Sequence, residues 1–492
     1  MRVHFIGIGG IGVSALARYY LSQGHQVSGS DLAESEITKA LEKLGARVRI
    51  GKHNPQCLTP EVKQLPDLVI YSPAVQPNNP ELKAAKEWRI KRQSYPEALG
   101  KLTKQYFTIA VCGTHGKGTT TAMISLILIK AGLDPTVIIG TKLKEFGDSN
   151  FRLGKKFGYK ILNTKYKILV IEADEYASSF LNYWPQIIVL TTIDKDHLDY
   201  FKTLGNIIKT FRKFVGHLPK HGWLVTNINE KTIFFTAVKN TVLFDRKLKE
   251  AEKLRKILKI PGEHIVADAL AALSVARILK IPDKTSFQAL SEYRGAWRRF
   301  EERTIKLKTI NYKLISDYAH HPKEIEVTLK AVREKYPKKK IFCVFQPHQY
   351  QRTYYLFKDF VKVLAAAPIN KLILAPIYSV AGRESQAIKK KVDSQKLAVA
   401  VQQILDTKYD IRNTKIFYIP TARKIVTYLK KNLTGNEVLV IMGAGDIYNL
   451  SLLLTGKTEK KKMKLHAQAR GIFSATGFLP RLRVERNPAP SR

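Results

Sequence analysis

Thr108-Ile109-Ala110-Val111-Cys112-Gly113-Thr114-His115-Gly116-Lys117-Gly118-Thr119-Thr120-Thr121-Ala122 passes from an apolar, β-rich run through glycines, a lysine and hydroxyls into a helical pattern over 122–129 that Gly132 closes. The pattern predicts a strand, a loop and a helix N-terminus. Backbone N–H groups freed by the glycines, the positive end of the helix dipole and the point charge of Lys117 suit a phosphate, and ATP or GTP is the expected occupant. Gly113, Thr114, His115, Gly116, Lys117, Gly118, Thr119 and Thr120 form this candidate nucleotide loop. Two positions depart from the common P-loop: Val111 stands at its first glycine, and Gly118 stands where a hydroxyl normally follows the lysine.

A chain of 492 residues has room for about three domains. Its 45% hydrophobic and 25% charged content is that of a soluble globular protein. The net charge of +42 raises nucleic acid, an anionic membrane or an acidic small molecule as partners. The lysines are spread along the chain rather than gathered into one arm, which favours a solvated basic surface and no nucleic-acid partner. Cys57, Cys112 and Cys343 lie far apart without a CxxC pair. That spacing fits a reducing cytosol and excludes a disulfide framework or a zinc site. Gly7, Gly9, Gly10 and Gly12 interrupt the apolar N-terminus, and no apolar run approaches the ~20 residues that span a bilayer. A cytoplasmic protein without membrane insertion is expected.

Outward from the P-loop, the chain reads as an α/β protein of three domains. Residues 3–8 predict a buried strand, followed by the glycine loop 7–12, a helix over 13–21 and a second strand ending at Ser30-Asp31. This is a Rossmann-like opening that suits NAD, a flavin nucleotide or a UDP-sugar equally. A strand over 67–71 leads into Ser72, and 100–104 reads as a linker. In the central domain, predicted strands over 168–171 and 187–191 end in Glu172-Ala173-Asp174-Glu175 and Asp194-Lys195-Asp196-His197. Carboxylates and an imidazole at strand C-termini beside a P-loop point to magnesium, which prefers oxygen ligands and retains several waters. A third α/β unit follows a boundary at 293–300, with polar strand ends at Asp317-Tyr318-Ala319-His320-His321, Gln346-Pro347-His348-Gln349-Tyr350-Gln351-Arg352, Arg383-Glu384 and Gly443-Ala444-Gly445-Asp446. These ends predict a site facing the second domain. From Lys457 onward the composition predicts a disordered basic tail.

Taken together, Gly7 to Gly12, Ser28-Gly29-Ser30-Asp31, Gly113 to Lys117, Glu172 to Glu175, Asp196-His197, Asp317 to Pro322 and Phe345 to His348 resemble the Mur ligase family over nearly everything from Met1 to about Leu454. The resemblance implies an N-terminal Rossmann-like domain over 1–103 that holds a UDP-sugar and a central P-loop ATPase-type parallel sheet over 104–297. It further implies a C-terminal Rossmann-like domain over 298–456 that brings the amino acid, before the tail at 457–492. The implied reaction, nearest to the alanine-adding members, couples L-alanine to the carboxylate of UDP-N-acetylmuramate through an acyl phosphate, with ATP and Mg2+. A ligase that returns murein tripeptide to the same sugar nucleotide shares most of these motifs. From other classes, an NAD-dependent oxidoreductase would use the first glycine loop, and a basic nucleic-acid-binding ATPase would use the charge.

By matching position, the resemblance assigns Lys117 to the β and γ phosphates and Glu172 and His197 to the metal. It adds Arg299 and Asp317 across the domain boundary, gives Tyr318, His348 and Arg352 to the alanine pocket, and gives Gly9, Gly10, Gly12, Asp31 and Ser72 to the UDP-sugar. Either Thr119 supplies the metal hydroxyl or none does, because Gly118 occupies the position where the alanine-adding members usually carry threonine. Ile265 and Asp268 stand where the family carries asparagines to hold adenine, and Gln349 stands where an arginine is often found.

Overall fold

The computed structural model describes residues 1–59, 64–155, 166–229, 238–307, 310–380, 386–407 and 414–454. Arg383, Glu384 and the tail over 457–492 lie outside the described residues.

Strands β1 (Arg2–Ile6), β2 (Gln26–Asp31), β3 (Arg47–Ile50), β4 (Leu68–Tyr71) and β5 (Lys91–Ser94) form a parallel sheet in the order β3-β2-β1-β4-β5. A second sheet contains β6 (Phe107–Cys112), β7 (Thr136–Leu143), β8 (Ser149–Arg152), β9 (Ile168–Glu172), β10 (Ile187–Leu190), β11 (Trp223–Asn227) and β12 (Asn240–Phe244). Its order is β12-β11-β10-β6-β9-β7-β8, parallel except for the β7–β8 pair. The third contains β13 (Glu301–Leu307), β14 (Ile310–Asp317), β15 (Lys340–Phe345), β16 (Lys371–Leu374), β17 (Lys415–Tyr418) and β18 (Glu437–Met442). It runs β13-β14-β18-β15-β16-β17, with only the β13–β14 pair antiparallel.

The central strands are continuous apolar runs because helices cover both faces of each sheet. Ile109, Ala110, Val111 and Cys112 in β6 and Ile187 to Leu190 in β10 are all buried. The apolar clusters ignore domain boundaries. One extends from Val111, Ile124 and Leu273 of the central unit to Ile325 and Phe345 of the third. Another joins Phe5 and Leu16 of the first unit to Ala110 and Phe214 of the second. The three units therefore meet through packed surfaces that hold their loop ends together.

Strand order determines which loops meet. In each sheet the chain reverses direction beside one central strand, and a crevice opens at the carboxyl ends of the flanking strands. The loops after β1 and β4, after β6, β9 and β10, and after β14, β15 and β18 occupy those positions. The segment expected as a linker over 100–104 is instead the end of the helix Tyr95–Thr103, with Lys104 as its C-cap. Gly100 suggested a break, but its role is close packing: a Cβ there would lie 2.3 Å from the Asn182 carbonyl oxygen. No helix among the described residues is long and apolar enough to cross a membrane.

Candidate active site

The helix Lys117–Lys130 starts directly from the loop after β6, with Gly116 as N-cap at φ +82°, a left-handed conformation that glycine adopts without steric cost. Two cavities open on either side of this loop. The first, about 600 Å³, is bordered by Gly116, Thr119, Ile265, Asp268, Asp317 and Lys323. The second, about 420 Å³, draws its walls from all three units: Gly10, Gly12 and Ser72; Lys117, Glu172 and His197; Tyr318, His348 and Arg352. Gly116, Arg299 and Glu324 border both, so the cavities adjoin along the P-loop.

Charges of both signs concentrate at this junction. Lys117 Nζ donates to the Gly113 carbonyl at 2.7 Å and to Glu175 Oε2 at 2.8 Å. Burial works against charge on Lys117, but Glu175, Asp174 and Glu172 outweigh it and hold the ammonium above the ordinary lysine range. His115 is likewise opposed by burial yet raised to about 9 by Asp194 and Glu324, so it is a cation at neutral pH. Asp317 accepts hydrogen bonds from the Phe300 and Ala319 backbone N–H groups at 2.7 and 2.8 Å, and burial nonetheless pushes it up to about 6.

Metal-ligand chemistry is present in the second cavity. Asp174, Glu175 and His197 bring donor atoms within 4.8 Å of one another. His197 Nδ1 is buried with no hydrogen-bond partner among the described residues. Glu172 borders the same cavity, and its Oε2 accepts the Gly140 N–H at 2.8 Å. Thr119, grouped with Glu172 and His197 in the sequence reading, borders the other cavity with Asp268 and Tyr293. Helical geometry accounts for the separation, since each step along the helix turns a side chain by about 100°.

The sugar-side glycines divide as well. Gly10, Gly12 and Ser72 border the second cavity, whereas Gly9 is occupied within its own domain: its N–H donates to Asp31 Oδ2 at 2.8 Å. Asp31 therefore braces the glycine loop from behind. The Ser30 carbonyl accepts Gly7 N–H and Ile8 N–H at 2.9 and 3.1 Å, and the Ser30 hydroxyl donates to buried Glu81 at 2.8 Å.

Arg352, expected to meet an amino-acid carboxylate, lies 3.0 Å from Asp196 in a buried pair that joins the third unit to the second. Burial opposes ionisation of Asp196, yet Arg352 and neighbouring histidines hold it well below the usual carboxylate range. Glu324 is a site residue that sequence reasoning missed. It accepts the His320 backbone N–H at 3.0 Å and lies 3.2 Å from His115 Nδ1. The available signal was a helix-capping pattern, with Pro322 at the first turn and an acid three residues after His321. Non-glycine residues in left-handed conformations cluster here too: Ala177, Ser178, His197, Arg298, Phe300 and Gln349. Such strain is tolerated where surrounding packing over-determines the loops.

Comparison with known proteins gives a consistent pattern. Residues 2–107 match the Mur ligase family, catalytic domain; 111–257 match the Mur ligase middle domain; 298–445 match the Mur ligase, glutamate ligase domain. The chain is 38% identical over 474 residues to a UDP-N-acetylmuramate--L-alanine ligase of Clostridium novyi, covering 91% of this chain and 96% of that protein. It is also 38% identical over 480 residues to the protein of the same name from Acetivibrio thermocellus, covering 91% and 94% respectively. A crystal structure of UDP-N-acetylmuramate-alanine ligase from Thermotoga maritima superposes with a TM-score of 0.72 at 26% identity, covering 94% of this chain and 100% of that one. A murein peptide ligase from Psychrobacter arcticus shares the fold, with a TM-score of 0.65 at 21% identity over 93% of this chain and 99% of that one.

Proposed function

The chain belongs to the Mur ligase family, and we propose that it is an ATP-dependent ligase joining L-alanine to the carboxylate of UDP-N-acetylmuramate in peptidoglycan precursor synthesis. The observation that carries this reading is the cavity of about 420 Å³ where loops of all three units converge on Lys117. A single-substrate enzyme has no need of three converging units; a ligase that gathers a sugar nucleotide, a nucleotide triphosphate and an amino acid does.

The nucleotide occupies the larger cavity with its phosphates along the P-loop, and the glycines of the first unit receive the UDP-sugar. A free carboxylate is a poor electrophile, and ATP supplies the phosphoryl group that turns one of its oxygens into a leaving group. Lys117 exchanges part of its contact with Glu175 for phosphate oxygens. His115 and Arg299 add positive charge on the nucleotide side, so negative charge in transit is met by pre-positioned groups. Tyr318, His348 and Arg352 line the side from which the amine approaches, and Arg352, held by Asp196, is the cation there for the amino-acid carboxylate. Carboxylates and an imidazole make an oxygen-rich donor set that fits Mg2+; Glu172 and His197, with Asp174 beside them, would hold the ion, which would supply charge neutralisation at phosphoryl oxygens. The working location of such an enzyme is the cytoplasm, where its nucleotide substrates are found.

The test is amide formation with phosphate release, measured with each component omitted in turn. Joint dependence on UDP-N-acetylmuramate, L-alanine and Mg2+ is the expected result, and phosphate release without the sugar nucleotide would sink the reading. Murein tripeptide as a better acceptor than L-alanine would redirect it to recycling. Lys117→Ala should lower amide formation by about 10²–10³-fold, the range for losing one pre-positioned charge-stabilising donor.

A further inference from the structure

In a P-loop, the residue after the lysine turns a hydroxyl toward the metal that accompanies the nucleotide. Here that residue is Gly118, and its surroundings show where the missing side chain would point. A Cβ at Gly118 would lie 3.2 Å from Glu172 Oε2 and 3.1 Å from Arg299 Nε, between a candidate metal carboxylate and a buried guanidinium. The three threonines that follow do not substitute for it. Thr119 borders the opposite cavity; the Thr120 hydroxyl donates to Asp268 Oδ1 at 3.1 Å; the Thr121 hydroxyl donates to the Lys117 carbonyl at 2.8 Å.

Arg299 borders both cavities, and among acidic groups Glu172 does most to hold its charge. A guanidinium cannot ligate a cation, but it neutralises phosphate oxygens through directed N–H donors. Building on the nucleotide and Mg2+ reading above, we propose that this chain holds its metal–nucleotide complex without a hydroxyl ligand from the P-loop helix, in the space between Glu172 and Arg299 where that side chain would stand. The ion then depends on carboxylate, imidazole, phosphate and water ligands. Its affinity is set below that of a site with the hydroxyl restored.

Gly118 has no positive φ, so a side chain is compatible with its backbone, and both close neighbours are ends of side chains. The experiment titrates Mn2+ into the full-length protein with a non-hydrolysable ATP analogue, reading bound Mn2+ by electron paramagnetic resonance. It compares the wild type with Gly118→Thr, Gly118→Ser and Gly118→Ala. A restored hydroxyl should tighten Mn2+ by at least about tenfold, the lower end of what a metal's supporting groups contribute. Gly118→Ala, which adds bulk without oxygen, should not tighten it. If neither hydroxyl variant binds Mn2+ more tightly than Gly118→Ala, the proposal falls; the serine variant keeps the test valid if threonine disturbs the fold. Amide synthesis by the wild type is assayed in parallel. Its absence would overturn the ligase reading while leaving the Mn2+ comparison standing.

Discussion

Asp268 carries a carboxyl into the wall of the larger cavity, against the P-loop backbone. Its Oδ1 accepts the Thr120 hydroxyl at 3.1 Å, and a Cβ on Gly116 would come within 2.3 Å of the same oxygen. Burial pushes this carboxyl up to about 8, against the opposing pull of Thr120, Arg299 and His115. It is therefore neutral at neutral pH and acts as a hydroxyl donor with a carbonyl acceptor, much as an amide would. Raising the pH through about 8 places a negative charge beside the phosphate path, so nucleotide affinity should fall over that interval. His115 loses its proton near 9 and adds to the fall. Calorimetric nucleotide titrations across this interval should give a shallower decline for Asp268→Asn, retaining only the His115 part. The same raised pKa bears on folding: the stability Asp268 contributes is full at acid pH and lost as the pH rises through about 8. Asp268→Asn should therefore raise the melting temperature more at alkaline than at acid pH.

At the scale of elements, the joint between β6 and the helix Lys117–Lys130 is the most tightly constrained. Gly116 sits at φ +82° with Asp268 against it from the helix Glu263–Ile278. Gly116→Ala should cost about 1–2 kcal/mol from the left-handed backbone alone, with the close approach to the Asp268 carboxyl adding to it. Thermal melts would register the loss, and nucleotide binding should weaken in the same variant; an unchanged melt would show that the loop can relax. This joint was legible because every cue to it is local: an apolar run, glycines and a helical period within one stretch. Interior strands β6, β9 and β10 were readable for the same reason. Edge strands β3 and β5 were not: Arg47–Ile50 is short and mostly exposed, Lys91–Ser94 is wholly polar, and only pairing with a neighbour makes them strands. Site pairings were hidden by distance along the chain. Asp196 meets Arg352 and Glu324 meets His115 only after separate units fold and dock, and Glu175 meets Lys117 only when two loops of the central unit, 58 residues apart in the chain, come together. Strand-end residues were therefore visible as a polar cluster, while the partner of each was not.

For the whole molecule, the question is what keeps three units closed around one cavity. Besides the shared apolar clusters, polar ties cross every boundary. Lys142 of the central unit pairs with Glu36 of the first at 3.0 Å, and its Nζ lies 4.1 Å from the Trp297 ring centroid. The Tyr448 hydroxyl of the third unit donates to Glu36 at 3.3 Å, and His321 of the third unit lies 3.0 Å from the Lys195 carbonyl of the second. Among the described residues, the Arg352–Asp196 pair is the most buried charged tie between units, with side chains only 5% and 10% exposed. Removing one member of such a pair leaves the other charge uncompensated and costs about 3–5 kcal/mol, whereas replacing both with apolar groups of similar volume is often neutral. Arg352→Ala should therefore open the third unit away from the second, seen as a larger radius of gyration in solution scattering. It should also raise the KM for L-alanine. The double variant Arg352→Met with Asp196→Leu should recover the compact radius without recovering alanine use, because closure needs only a filled interface and recognition needs the guanidinium. A single variant that stays compact would mean that the apolar clusters alone hold the units together; a double variant that regains alanine turnover would remove Arg352 from the amino-acid pocket.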